Sequence, residues 1–389
     1  MIYLDYAAAT PVDDRVMAAM QPFLATEFYN PSAAYMAALA VREKYEEARH
    51  DIAKVIGAVK AEIIMTAGAT ESINLALRSF EHVLTTAIEH PAVLGCVGSG
   101  DIVNVDGGGR VDLADLRAKI TDATELISVG YANSEIGVVQ PIKEIARIVQ
   151  DVRADRLERG VATPIYFHTD ASAAAGMLEL GVARLGVDMM TLNAGKCYGP
   201  KQVGCLYVRA GVKLRPAVCG GGQEMGLRSG TENVAGAIGF AAALKIAEKK
   251  RKVETVRLGK MRDDLERYLI GKSNVKDAPG KHFRTLPVKI NGDCKHRLPN
   301  ILNFSIPGLD GERAVFALDF AGVMVATGSA CAANKGLRSH VLTAIGLDDR
   351  TADGSIRSSL GRGTTREEME ETKKILAQVL PSELALSQE

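Results

Sequence analysis

Between about residues 60 and 210, short runs of β-branched and other apolar residues alternate with stretches in which apolar positions recur every three to four residues. The short runs, at 62–66, 83–87, 125–131, 164–170 and 187–192, are too brief for helices and predict strands covered on both faces. The periodic stretches, at 71–78, 113–119 and 142–156, predict helices. Strands and helices taking turns in this way define an α/β fold with a largely parallel sheet, and ligands of such sheets gather beyond the carboxyl ends of the strands. A final run at 204–209 reads as a strand returning after the break at Gly199-Pro200.

Past residue 232 the alternation gives way to one long helical pattern reaching about residue 269, whose second half carries the run Glu248-Lys-Lys-Arg-Lys252, a solvated helix face. We read this helix as the link between two domains. Residues 15–254 form the larger one, and residues 1–14 with 255–389 form a smaller α+β domain. The longest apolar run, 234–244, is about half of the roughly 20 residues that a bilayer crossing takes, so it predicts a packed helix and no membrane partner.

Lys plus Arg and Asp plus Glu number 47 each, and this balance gives no basic field for nucleic acid. The start, Met1-Ile-Tyr-Leu-Asp5, has an early acid where a secretory signal would be basic, and the expected location is the cytoplasm. The 6 cysteines are scattered without a C-x-x-C pair, which argues against a disulfide framework. Cys294 and His296 lie close together, but no second pair follows at zinc spacing, so no metal is expected.

Several segments can carry chemistry. Thr66-Ala-Gly-Ala-Thr-Glu-Ser72 follows a strand and opens a helix, so its free N–H groups make an anion cradle, although such turns are also Gly- and Thr-rich merely to cap. Neither a P-loop nor dinucleotide glycine spacing is present. Lys196, in Asn193-Ala-Gly-Lys-Cys-Tyr-Gly-Pro200, sits where an apolar strand empties into a turn; such a lysine can bind an aldehyde covalently, or simply decorate a hairpin. Asp170 ends the strand 164–170 and can pair with a cationic ring nitrogen or cap the following Ala-rich turn. His90, in Ala87-Ile-Glu-His-Pro91, can stack on a ring or move protons. Cys331 lies in a run of small residues that reads as a mobile loop able to present a thiolate. Arg357 can grip a carboxylate with two parallel bonds, or sit in a surface ion pair.

Taken together, these segments resemble the cysteine desulfurase family, within the class-V aminotransferase group of fold-type-I pyridoxal 5'-phosphate (PLP) enzymes. The resemblance begins at Tyr3-Leu-Asp-Tyr-Ala-Ala-Ala-Thr-Pro11 and runs through Asn30-Pro-Ser32, the cradle, Glu89-His90 and Asn133-Ser-Glu-Ile-Gly-Val-Val-Gln140. It continues through Asp170-Ala-Ser172, Lys196 with Tyr198-Gly-Pro-Lys201, and Gly220-Gly-Gly-Gln-Glu-Met-Gly-Leu-Arg-Ser-Gly-Thr231. It closes on Gly328-Ser-Ala-Cys331 and Ser355-Ile-Arg-Ser-Ser-Leu-Gly-Arg362.

The resemblance implies a mixed, mostly parallel seven-stranded sheet between helices, with the smaller domain carrying the Cys331 loop. It implies that Lys196 anchors PLP, His90 stacks on its ring, Asp170 holds the pyridine nitrogen, and Ala69, Thr70 and Asn193 bind its phosphate. Thr231 would reach the phosphate in the other subunit of a homodimer. Asn133 and Arg357 would receive the carboxylate of L-cysteine, and Cys331 would take its sulfur as a persulfide for an acceptor protein of iron–sulfur assembly or tRNA thiolation. The long stretch from Cys331 to Arg357 resembles the branch of the family whose cysteine travels.

Two positions depart from the family pattern. Where Ser-Gly-His-Lys is usual, this chain has Asn193-Ala-Gly-Lys196; where Asp-Ala-Thr-Gln is usual, it has Asp170-Ala-Ser-Ala173. The missing imidazole and amide remove hydrogen bonds to the cofactor of about 1–3 kcal/mol each unless water or Asn193 replaces them. The chain as given also runs to Glu389 without the longer tail by which some relatives dock an iron–sulfur scaffold, leaving the acceptor open. The alternatives are a selenocysteine lyase or other PLP lyase, and a dimeric sulfur-relay platform in which Gly195 and Ala173 have eroded catalysis.

Overall fold

The computed structural model describes residues 1–98, 101–271, 286–328 and 338–387. Its strands are β1 (Ile2–Tyr3), β2 (Ile63–Thr66), β3 (Val83–Thr86), β4 (Ile102–Val103), β5 (Leu126–Ser128), β6 (Tyr166–Asp170), β7 (Met189–Asn193), β8 (Gly204–Val208), β9 (Lys289–Ile290), β10 (Ile301–Ser305), β11 (Val323–Met324) and β12 (Ser355–Ser359). Seven of them form one sheet in the order β2-β8-β7-β6-β5-β3-β4. Pairing is parallel except around β8, which runs antiparallel to both neighbours because it returns from β7 through the short turn that holds Lys196.

Successive residues of these strands enter different cores, as the period of two requires. Ile63, Ile127, Phe167, Met190 and Leu192 pack with the helices Met36–Ile56, Ile142–Arg159 and the first half of Val234–Leu269. Ile64, Leu126, Met189 and Leu206 pack with the helices Ala69–Leu77 and Pro91–Leu94 on the opposite face. The expected apolar runs are therefore strands buried on both sides. Gly204 is needed where β8 passes the cradle: a Cβ there would come within 2.8 Å of the Gly68 backbone and 2.6 Å of the Leu192 carbonyl.

A second core joins Leu302, Phe304, Ile356 and Leu318 to Leu258 and Leu265 of the long helix. Ile2 and Leu4 belong to it, since β1 pairs in parallel with β11. From there the extended segment 5–13 crosses back to the large sheet. Thr10 donates through its hydroxyl to the Gly195 carbonyl at 3.0 Å and accepts the Tyr198 N–H at 2.8 Å, while Lys201 donates to the Thr10 carbonyl. Tyr198 accepts the Arg362 N–H through its hydroxyl and lies under the Arg362 guanidinium, 4.1 Å from ring centroid to carbon.

The segment 220–231 is pinned by a buried carboxylate. Glu224 accepts from both terminal nitrogens of Arg49 at 2.6 Å, from the Tyr45 hydroxyl at 2.7 Å and from the Met65 N–H at 2.6 Å. Glu224 and Met225 take left-handed φ values of 46° and 59°, which non-glycine residues hold only when their surroundings fix them. Glu224→Ala would strand the Arg49 charge in the interior. We expect a loss of about 3–5 kcal/mol in chemical denaturation, with Arg49→Met/Glu224→Leu losing less than Glu224→Ala.

Candidate active site

A cavity of about 380 Å³ opens at the carboxyl ends of the parallel strands, and most of the residues singled out from the sequence line it. Ala69 and Thr70 come from the helix that follows β2, His90 from the loop after β3, Asp170 from the end of β6, and Asn193 and Lys196 from β7 and its turn. Asn133 stands on the hairpin that follows β5, and Arg357 reaches in from β12. Residues scattered over most of the chain meet here because each follows, or ends, a strand.

The helix Ala69–Leu77 begins after Gly68 without any side-chain cap, so the first-turn amides of Ala69 and Thr70 face the cavity without an intrachain acceptor from a capping group. Glu71 instead bonds back to the Ala67 N–H and pairs with Arg228. Lys196, half-buried, donates to the carbonyls of Ala7 and Ala8, which tether its ammonium at the cavity wall. The Asp170 carboxylate accepts the Ser172 N–H at 2.9 Å, so it does cap a turn, yet the turn leaves it facing the cavity. The Ser172 hydroxyl is buried and has no partner among the described residues.

His90 accepts the Ala92 N–H on Nδ1 at 3.1 Å, which puts the proton of the neutral ring on Nε2. Burial lowers its basicity, and the nearby Asp170 charge offsets only part of that. Beneath Asp170 on the same strand, His168 is fully buried between Ser128 and Thr191, and desolvation holds it down to about 4, a neutral spacer. Glu89 was quoted in the sequence only as the neighbour of His90. It is buried in the cavity wall, accepting from Thr86 at 2.6 Å and from the Gly130 N–H at 3.0 Å. Burial lifts its carboxyl to about 7, with the Asp170 charge adding to the effect and its hydrogen bonds opposing it.

Arg357 is not in a surface ion pair. It is 2% exposed, donates to Asp5 at 2.5 Å and to the Ser134 carbonyl at 3.2 Å, and keeps a buried Nε without a partner among the described residues. Asn133 is more committed than its expected role implies: its amide donates to the Ile88 carbonyl, and its oxygen accepts the N–H groups of Glu135 and Ile136. Thr231 is exposed and does not line this cavity, and Cys331 lies outside the described residues. Two further lining residues were not singled out from the sequence, Glu135 being quoted only inside the run 133–140 and His340 not at all. Glu135, whose carboxyl burial pushes up, accepts from Ser339, and His340 bonds through Nε2 to the Glu89 carbonyl at 2.9 Å. No group among the described residues could hold a metal ion.

Uncapped helix amides, a carboxylate, a neutral imidazole, an orphaned hydroxyl and a lysine around one concave space form a site that fits a phosphorylated pyridine aldehyde. The fold and the site therefore define a fold-type-I PLP protein. Residues 2–371 match the family described as Aminotransferase class-V, and the chain belongs to that family. Cysteine desulfurase IscS of Dictyoglomus turgidum is 40% identical to it, over 97% of this chain and 94% of its own. Cysteine desulfurase IscS 1 of Archaeoglobus fulgidus is 38% identical over 98% and 97%. Among solved structures, a NifS-like protein superposes with a TM-score of 0.86 at 34% identity, covering 97% of this chain and 99% of its own. The structure titled SspA in complex with cysteine gives 0.75 at 30% identity, over 92% and 99%.

Two outcomes follow from this geometry. A Cβ at Gly195 would meet nothing closer than 3.5 Å, so Gly195→His should fold normally. Restoring one bond of about 1 kcal/mol should tighten PLP binding about fivefold in a fluorescence titration of the apoprotein. Glu89, whose proton is held more tightly folded than unfolded, contributes stability below about pH 4.5 that is lost as the pH rises through about 7, up to about 3 kcal/mol. Glu89→Gln should flatten the fall in stability across that window in urea melts.

Proposed function

We propose that this protein is a cysteine desulfurase: it converts L-cysteine to L-alanine and passes the sulfur to Cys331. The observation that carries this reading is the convergence of Lys196, Asp170, His90 and the Ala69–Thr70 turn on one cavity that Arg357 also lines. When bound, PLP supplies an electron sink for the bonds at the substrate Cα and Cβ. The amides of Ala69 and Thr70, with the Asn193 side chain, would hold its phosphate, and Asp170 would keep its ring nitrogen protonated. His90, neutral with its proton on Nε2, would lie against the ring.

Lys196 would anchor the cofactor and, once displaced by the substrate amine, move a proton at Cα. Arg357 would take the substrate carboxylate, with Asn133 beside it; the buried guanidinium and its spare Nε support this role. The Cys331 thiolate would attack the substrate sulfur, breaking the Cβ–S bond, leaving a persulfide on Cys331 and, after Cβ takes a proton, alanine. The sulfur acceptor in this reading is a protein of iron–sulfur assembly or tRNA thiolation, in the cytoplasm. No helix among the described residues is long and apolar enough to cross a membrane.

The working unit in this reading is a homodimer, each subunit built from a large domain at 15–254 and a small one at 1–14 and 255–389. Phe28, Tyr35 and Met36 are large apolar side chains left 68%, 54% and 79% exposed, and Thr231 is exposed outside its own chain's cavity. Both features support a second copy that covers this face and receives Thr231.

The test is a coupled assay of sulfide and alanine from L-cysteine under reductant, with the visible spectrum of the protein recorded alongside. Wild type should release the two products in equal amounts. Lys196→Ala should lose the cofactor absorbance and at least a thousandfold in turnover, and Cys331→Ser should keep the absorbance and lose sulfide release. Elimination that persists in Cys331→Ser would assign a lyase instead.

A further inference from the structure

The reaction proposed above moves more than one proton, and Lys196 accounts only for the one at Cα. Another leaves the substrate sulfur, and one must arrive at Cβ before alanine is complete. Most ionisable groups around the cavity are already committed. Asp170 is taken by the ring nitrogen in that reading. Glu89 turns its oxygens to the Gly130 N–H and the Thr86 hydroxyl, and Glu135 takes the Ser339 hydroxyl. His90 cannot accept a proton without breaking a bond, because its Nδ1 already accepts the Ala92 N–H and its Nε2 carries the hydrogen.

His340 is wired the other way round. Its Nε2 lies 2.9 Å from the Glu89 carbonyl, which can only accept, so Nε2 holds the proton of the neutral ring and Nδ1 is the basic atom. Nδ1 has no hydrogen-bond partner among the described residues, and the residue lines the same cavity as Lys196, Asn133 and Arg357. Its placement is built in. His340 opens the helix His340–Ala344, whose N-cap Ser339 accepts the Leu342 N–H and donates to Glu135. Val341 and Leu342 then pack with Ile88, Ile136 and Val138, which fixes the helix against the strand-end loops. A half-buried imidazole held through one ring nitrogen, with the other unclaimed, is the form in which histidine carries protons.

We propose, resting on the desulfurase reading, that His340 is a catalytic residue that carries the proton of the substrate sulfur to Cβ. As the Cys331 thiolate forms the S–S bond and the Cβ–S bond breaks, the electron pair of that bond goes to the substrate carbons, and Nδ1 accepts the proton that sulfur loses. The His340 imidazolium then gives this proton to Cβ, which completes the methyl group of alanine and restores the neutral ring. Cys331 is left as a persulfide anion. The two sulfurs are oxidised to the persulfide level, the substrate carbon is reduced, and no outside donor is needed.

The delivery step can be run in reverse on the product. L-Alanine is incubated with the PLP-loaded protein in D2O, and proton NMR follows the exchange of its Cα and methyl hydrogens. Wild type should exchange both. His340→Gln keeps a side-chain N–H for the Glu89 carbonyl but has no base. It should exchange Cα within about twofold of wild type and the methyl group about a hundredfold more slowly, the lower end of what a positioned acid–base group contributes. Methyl exchange at the wild-type rate in His340→Gln, an equal loss at Cα and at the methyl group, or a wild type whose methyl hydrogens do not exchange would overturn the proposal. Sulfide release from L-cysteine, which the exchange does not use, decides the desulfurase reading separately.

Discussion

The site depends first on the way the chain's opening segment is tied to the lysine turn. Thr10 bonds on one side to Gly195 and on the other to Tyr198, while the carbonyls of Ala7 and Ala8 take the Lys196 ammonium. The turn between β7 and β8 is only a short 3-10 segment, Ala194–Lys196, and without these bonds nothing local would fix the direction of its lysine. Tyr198, held with φ at 68°, then clasps Arg362 by ring and hydroxyl, so one small knot joins the N-terminus, the sheet edge and the C-terminal block.

Electrostatics complete what this knot begins. Asp170 is a carboxylate held at the end of a buried strand, and burial keeps three of its neighbours neutral, His168 below it, His90 above the cavity and Glu89 in the wall over the lower half of the pH range, while the Lys196 ammonium is tied to backbone carbonyls at the cavity wall. A carboxylate fixed beside neutral imidazoles is the arrangement that a cationic ring nitrogen needs, because no second charge on its own strand or on His90 competes for it. Arg357 works under the opposite constraint. Its charge is buried and already compensated by Asp5, so any anion that it receives enters a site whose main cost of desolvation has been met.

Much of this was legible in the order of residues, and for a physical reason. Strands buried on both faces write themselves as unbroken apolar runs, so those at β2, β3 and β7 were placed within one or two residues; because the chemistry of such sheets sits at strand ends, Asp170, His90 and Lys196 could be picked out with them. What remained hidden was set by distance along the chain. The two-residue strands β1, β4, β9 and β11 are too short to show a period. Glu135 and His340 carry no local mark, since their significance lies in bonds to Ser339 and to the Glu89 carbonyl across the cavity. The pairing of Asp5 with Arg357 spans 352 positions, and no window of sequence contains it.

That same separation has a consequence for synthesis. A ribosome delivers Asp5 first and Arg357 only when nearly the whole chain has emerged, and β1 must likewise await β11. Until then the opening segment has no partner for its strand, and only the bonds of Thr10 and of the Ala7 and Ala8 carbonyls to the lysine turn can hold it. The large sheet and the lysine turn can thus be made early, and the anchoring of the opening segment to the small domain is finished only when β11 and Arg357 have emerged.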